Sequence, residues 1–194
     1  FPGNLSENQF HTSAPLGGMY DVRPGCATDI ESFVRLATPH FRAATRDPIP
    51  LVRIRAAKVL ATLCGDPVEA VKMLRVELKS PPADAILAAK TLGEIGEAAV
   101  SAAPDLHSLL EQQTGPALHD SRSAVMSALV ALGAGAADEW RKALRSENLQ
   151  TRQTAIQHLG RKALSPELAA ELFGERLEEE DSLVRMTAIE QLSR

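Results

Sequence analysis

Aromatic residues make up only 4% of this 194-residue chain: five Phe, one Trp and one Tyr. A single core built on large aromatic anchors is therefore a poor expectation, and abundant alanine suits helices that approach one another closely instead. Cysteine occurs twice, at Cys26 and Cys64, which is too little for the disulfide framework of a small secreted domain. No apolar run reaches the roughly 18 residues that a membrane-crossing helix needs. The net charge of -4 lacks the basic excess of a general nucleic-acid binder. No segment alternates with the period of a strand. The chain also has no Gly-x-Ser-x-Gly turn, no phosphate loop and no Cys-x-x-Cys. Its five histidines, His11, His40, His107, His119 and His158, include no pair spaced three or four apart, the usual way one helix offers a metal two ligands.

What is present is a phrase, Arg-x-x-Ala-x-x-x-Leu, that recurs along the chain. Its copies are Arg53/Ala56/Leu60, Arg122/Val125/Leu129, Arg152/Ala155/Leu159 and Arg185/Ala188/Leu192, with a weaker copy at Ala85/Ala88/Leu92. Successive leucines are 32, 37, 30 and 33 residues apart. A period of this length is that of one helical hairpin, and hairpins repeated in series predict a stacked helical array.

The periodicity divides the chain into an irregular arm, residues 1–27, and a helical repeat region, residues 28–194. Pro2, Gly3, Pro15, Gly17, Gly18, Pro24 and Gly25 interrupt the arm, although Leu16, Met19, Tyr20 and Val22 could pack on the first helix. Asn4-Leu5-Ser6 fits a glycosylation acceptor, which has meaning only in a secreted eukaryotic protein. Phe1 in place of Met suggests a processed chain or a piece of a longer one. Helix is expected from Thr28 or Asp29, with Ile30, Phe33, Val34 and Ala37 inward and a break or kink at Pro39. Further helices are expected at 51–64, 68–79, 83–95, 98–112 (kinked at Pro104), 119–132, 136–145, 149–161, 166–179 and 183–193. Asp66 and Asp181 are expected to cap helices. Cys64 falls on an apolar stripe and reads as a buried thiol, and Trp140 with Leu144 reads as core. The run Glu178-Glu179-Glu180-Asp181 reads as a solvated turn. In the last helix Val184, Ile189 and Leu192 are expected inward, with Met186 at an open edge that another segment or chain covers.

Asp47-Pro48-x-x-x-Val52-Arg53-x-x-Ala56-x-x-x-Leu60 and Asp181-x-x-Val184-Arg185-x-x-Ala188-x-x-x-Leu192 resemble the second helix of HEAT repeats. The short Gly-ended unit Leu92-Gly93-Glu94-Ile95-Gly96 most resembles the bacterial type related to phycobilisome lyases. The resemblance covers about residues 28–194 and implies an all-α fold. The expected architecture is a right-handed α-solenoid of about five helix pairs whose second helices line the concave side. Residues 96–106 are also similar to helical tails appended to some bacterial sulfatases, whose catalytic motif is missing here. The absent His-Glu dipeptide argues against the di-iron hydroxylases built from such repeats, and the scarcity of aromatics argues against helical-repeat DNA glycosylases.

In such arrays the repeated arginine bonds carbonyls or an acid of the neighbouring repeat, which is the role expected of Arg53, Arg122, Arg152 and Arg185. The exposed positions of the second helices are the better candidates for function. Lys58, Lys90, Ser127, Gln157 and Glu190 follow one row, and Thr62, Glu94, Ala131, Arg161 and Arg194 another. The first row runs from basic to acidic and would orient an extended charged partner. The candidate partner-binding residues are Arg55, Lys58, Lys90, Glu94, Gln157 and Arg161. The expected function is non-catalytic docking or scaffolding of a protein partner or of another domain of a parent chain, with no cofactor, metal, nucleic acid or membrane. Two alternatives stay open: an accessory domain of a larger bacterial enzyme such as a sulfatase-like hydrolase, and a chromophore lyase of the phycobilisome type. The compartment also stays open; the missing disulfide framework leans towards the cytoplasm.

Overall fold

The computed structural model describes residues 26–113, 118–161 and 164–193, and the backbone alone of 26–29. The expectations for the arm up to residue 25 lie outside the described residues, as do those for 114–117. Within them the chain is helical, with no strand. The helices are α1 (Cys26–Ala44), α2 (Pro50–Thr62), α3 (Pro67–Glu77), α4 (Pro82–Ile95), α5 (Ala103–Gln112), α6 (His119–Ala131), α7 (Ala137–Leu144), α8 (Leu149–Leu159), α9 (Pro166–Gly174) and α10 (Ser182–Leu192).

Local chemistry sets these boundaries. Asp66, Asn148, Ser165 and Asp181 cap α3, α8, α9 and α10, each accepting a bond from a free backbone N–H of the first turn. Pro50, Pro67, Pro82 and Pro166 open their helices, where no N–H is needed. Gly65, Gly96 and Gly133 follow helix ends with φ of 66°, 72° and 80°, a region that any Cβ makes costly. Pro104 does not kink a long helix as the sequence suggested. It sits in the first turn of α5, and the preceding residues Gly96–Ala102 form a 3-10 segment. Pro39, by contrast, lies inside α1, which runs through it. The expected ends of α7 and α9 also retract, because Ala134–Ala136 and Glu175–Glu178 adopt 3-10 turns.

The helices pack in two rows. In one, α2, α4, α6, α8 and α10 each contact the next. In the other, α3 meets the Gly96–Ala102 turn and α5 meets α7, while each helix also leans on its hairpin mate. The apolar seam between the rows holds the anchor leucines Leu60, Leu92, Leu129 and Leu159, all fully buried. Trp140 is buried as expected, and its indole Nε1 donates to the Leu129 carbonyl at 3.2 Å. Small side chains set the closest approach. A Cβ on Gly93 of α4 would lie 2.9 Å from the Ala128 Cα of α6.

Some inward assignments fail, for want of a covering neighbour or because a helix ends early. Ile30 and Phe33 are 51% and 56% exposed because, among the described residues, no helix lies against the N-terminal half of α1. Cys64, read as a buried thiol, is half-buried and lies beyond α2, since that helix ends at Thr62. Ile189 and Leu192 are 59% and 38% exposed, because no further helix covers α10 among the described residues.

The repeated arginine closes the turn before its own helix. Arg53 Nη1 donates to the Asp47 and Pro48 carbonyls, Arg152 Nη1 to those of Ser146 and Glu147, and Arg185 Nη1 to those of Glu179 and Glu180. Buried Arg122 donates to the Gln113 carbonyl. A carboxylate from the following hairpin completes two of these clamps. Arg53 grips Glu77 with two bonds of 2.7 and 3.0 Å, and Arg152 lies 3.6 Å from Glu179. The Arg53 guanidinium holds the Glu77 carboxyl below its ordinary range, against burial and with help from the Ser80 hydroxyl. Exposed pairs one repeat apart, Arg75–Asp105, Arg141–Glu171 and Arg145–Glu175, tie the outer helices and add little each.

Two measurements check this account. Gly93→Ala forces α4 and α6 apart and is expected to destabilise by about 1–3 kcal/mol despite better helix propensity. Gly174→Ala meets nothing within 4 Å and is expected to stabilise slightly in the same urea titration. Arg53→Ala strands the Glu77 carboxylate, whose side chain is 4% exposed, and is expected to cost about 2 kcal/mol. Arg53→Lys should recover less than half, since an ammonium cannot fork to two carbonyls and a carboxylate. Because the folded state lowers the Glu77 pKa, the pair's stabilisation is present above the ordinary value of 4.5 and is lost as pH falls below it. The gap between wild type and Arg53→Ala should therefore narrow in acid.

Candidate binding surface

On α2, α4, α6 and α8 the third, fourth and seventh residues after the arginine position are buried, and on α10 only the third is. Helical geometry then leaves the second, fifth and ninth residues on the opposite side. Arg55, Lys90, Glu94 and Arg161 are exposed there, and Lys58 and Gln157 are half-buried. The candidate residues thus share one side of one row, though they do not act alike.

Lys58 and Glu94 form an ion pair of 2.9 Å between α2 and α4. That contact spends one cation of the expected gradient on a neighbour, so the face is less graded at its α2 end than the sequence alone suggests. Lys90 and Glu94 instead frame a shallow groove of about 350 Å³ between α4 and α6, floored by Gly93, Ala124, Ser127 and Ala131. The groove exists because these positions carry small side chains. Arg55 lies on the flank of α2 away from α4. Gln157 sits on α8, one helix beyond α6, and Arg161 lies in the turn just past its end, where the sequence predicts continued helix.

The α6–α8 junction holds a feature that the repeat phrase does not announce. The Ser123 hydroxyl and His158 Nε2 share a hydrogen bond of 2.9 Å. Ser123 follows Arg122 by one residue and His158 follows Arg152 by six. The same register brings Gly93 to Ala128 and Gly160 to Gln191, so the pairing was available in the sequence once the junction geometry was known. Burial lowers the His158 pKa below 6.5, and the nearby charges of Arg161 and His119 lower it further. The imidazole is therefore held neutral, as a polar link between helices. A second groove, of about 620 Å³, lies between α1 and the end of α2, lined by Val34, Arg35, Thr38, Leu63 and Cys64 among others. Among the described residues, no cluster of three or more His, Cys, Asp or Glu side chains is placed to hold a metal ion. No described helix is long and apolar enough to cross a membrane.

The His158 environment predicts a pH effect of definite sign. A histidine whose folded pKa is depressed binds its proton more readily when unfolded, so wild-type stability falls as pH drops from 6.5. His158→Gln keeps a partner for Ser123 and removes the titration. Urea titrations between pH 7.5 and about pH 5 should show a smaller loss for the variant; equal losses would assign the acid sensitivity to other groups.

The chain matches no protein-family model and no curated protein.

Proposed function

We propose that the chain is a HEAT-like right-handed α-solenoid acting as a non-catalytic docking module. Its partner is a protein, or another domain of a longer chain, bound along the exposed side of the α2-to-α10 row. The carrying observation is the small-residue groove between α4 and α6 with Lys90 and Glu94 at its rim. A groove floored by alanine, serine and glycine admits a backbone or a short side chain closely, and the rim charges give orientation. Across the same side Arg55, Lys58, Lys90 and Arg161 outnumber Glu94 and Glu190, so the fitting partner presents an acidic segment.

The test is affinity capture from the native source at low salt, read by mass spectrometry, with three baits. Wild type and Lys72→Glu, a substitution on the exposed part of α3, should recover the same partner. Lys58→Glu/Lys90→Glu should lose it at least about tenfold, and added salt should weaken wild-type capture. Equal recovery by the double variant, with its helicity intact, would remove this side of the row as the docking surface.

A further inference from the structure

Lys90 stands on the exposed side of α4 and pairs with no acid among the described residues. On a helix the neighbours that could neutralise it lie three and four residues away. Three of those positions hold Ile86, Leu87 and Gly93, and the fourth is Glu94. Glu94 is turned elsewhere, its carboxylate 2.9 Å from the Lys58 ammonium of α2. The stretch of α6 across the groove, from Ala124 to Ala131, contains no acid. Lys90 is therefore a cation without a counter-charge, and the acid nearest to it along its helix is held by another helix.

The groove between α4 and α6 supplies a second polar group. Ser127 lines it from α6, is exposed, and its hydroxyl bonds nothing among the described residues. Gly93, Ala124, Ala128 and Ala131 complete the lining and carry no polar side-chain atom. Lys90 and Ser127 each stand five residues after the arginine position of their own helices, so they flank the groove from its two walls. A carboxylate between them accepts from both the ammonium and the hydroxyl, whereas a cation there would meet Lys90. The contact of Gly93 with Ala128 keeps the floor bare of bulky side chains, so a partner main chain can lie close to it. From Lys90 to Glu94 the helix climbs about 6 Å, the span of about two residues of extended chain. The far end of that span carries the mutually neutralised Lys58–Glu94 pair, which attracts no second acid.

We infer that the groove takes a single carboxylate side chain, carried on an extended segment of small residues in a protein partner, and seats it between Lys90 and Ser127. Lys58 is a positioning residue: it keeps the seat open by holding Glu94 away from Lys90. The inference rests on the docking reading and names the contact within it.

The test uses the full chain labelled with nitrogen-15 and a probe peptide, acetyl-Ala-Ala-Asp-Ala-Ala-amide, at low salt. Binding is read from the NMR shifts of the Gly93, Ser127 and Ala128 amides. Wild type should saturate with a Kd on the order of 1 mM. The same peptide with Asn in place of Asp should bind about threefold or more weakly. Lys90→Met and Ser127→Ala should each narrow the gap between the two peptides. Lys58→Met removes a side chain outside the groove lining, yet it should weaken the Asp peptide about twofold or more, because the freed Glu94 turns to Lys90. Lys58→Met/Glu94→Gln should restore the affinity, a rescue that a merely structural role of Lys58 does not produce. Absence of shifts at these amides, equal affinity for the two peptides, or failure of the rescue would each overturn the inference. Any of these, beside loss of capture by the Lys58→Glu/Lys90→Glu bait, strikes this contact alone and leaves the docking reading standing. Equal capture by that bait removes the docking reading and this inference with it.

Discussion

The guanidinium that closes each turn is the contact on which this architecture depends. A helix start leaves backbone donors open, and the turn before it leaves carbonyls facing inward. One carbonyl of each such turn, that of Asp47, Ser146 or Glu179, is partly withdrawn from water and gains a donor from the protein, while its neighbour stays at the surface. One arginine answers two of them and still has a free edge for an acid from the next hairpin. Arg53 shows the whole device, joining Asp47, Pro48 and Glu77 through one side chain. The period of the sequence follows from this geometry, because each repeat needs its own turn closed in the same way.

Where the arginine is missing, other chemistry takes over. Ala85 stands in its place in α4 and is 1% exposed. The turn before that helix is stiffened by Pro81 and Pro82, and the Ser80 hydroxyl donates to Glu77. Alanine there also keeps α4 slim, consistent with the close approach of Gly93 to Ala128 on its other neighbour. The groove rimmed by Lys90 and Glu94 is a by-product of that economy of volume. The exposed side and the core of the row are therefore set by the same choice of small residues.

Much of this was legible in the sequence for a physical reason: caps, prolines, post-helix glycines and the arginine phrase act over a few residues. Asp66, Asp181, Gly96, Trp140 and the anchor leucines up to Leu159 all took their expected places. Expectations failed where burial depends on a neighbour that periodicity does not show. Ile189 and Ile156 stand at equivalent positions of equivalent helices, and only what lies beyond them distinguishes 59% exposure from 0%. Pairings across helices were hidden for a related reason. The Lys58–Glu94 ion pair and the Ser123–His158 bond depend on the offset between adjacent helices, which a single helical phrase does not contain.

The bonds that join repeats also have a consequence for how the molecule assembles. Arg53 reaches Glu77 across 24 residues, Arg145 reaches Glu175 across 30, and Ser123 reaches His158 across 35. None of these waits for distant parts of the chain to find each other, so the entropy of loop closure stays small and nearly constant from one junction to the next. Low contact order of this kind favours rapid folding. It also makes stability local: a hairpin can open without dragging its second neighbour with it, and protection from solvent exchange should decline stepwise away from the Leu92–Leu129 centre.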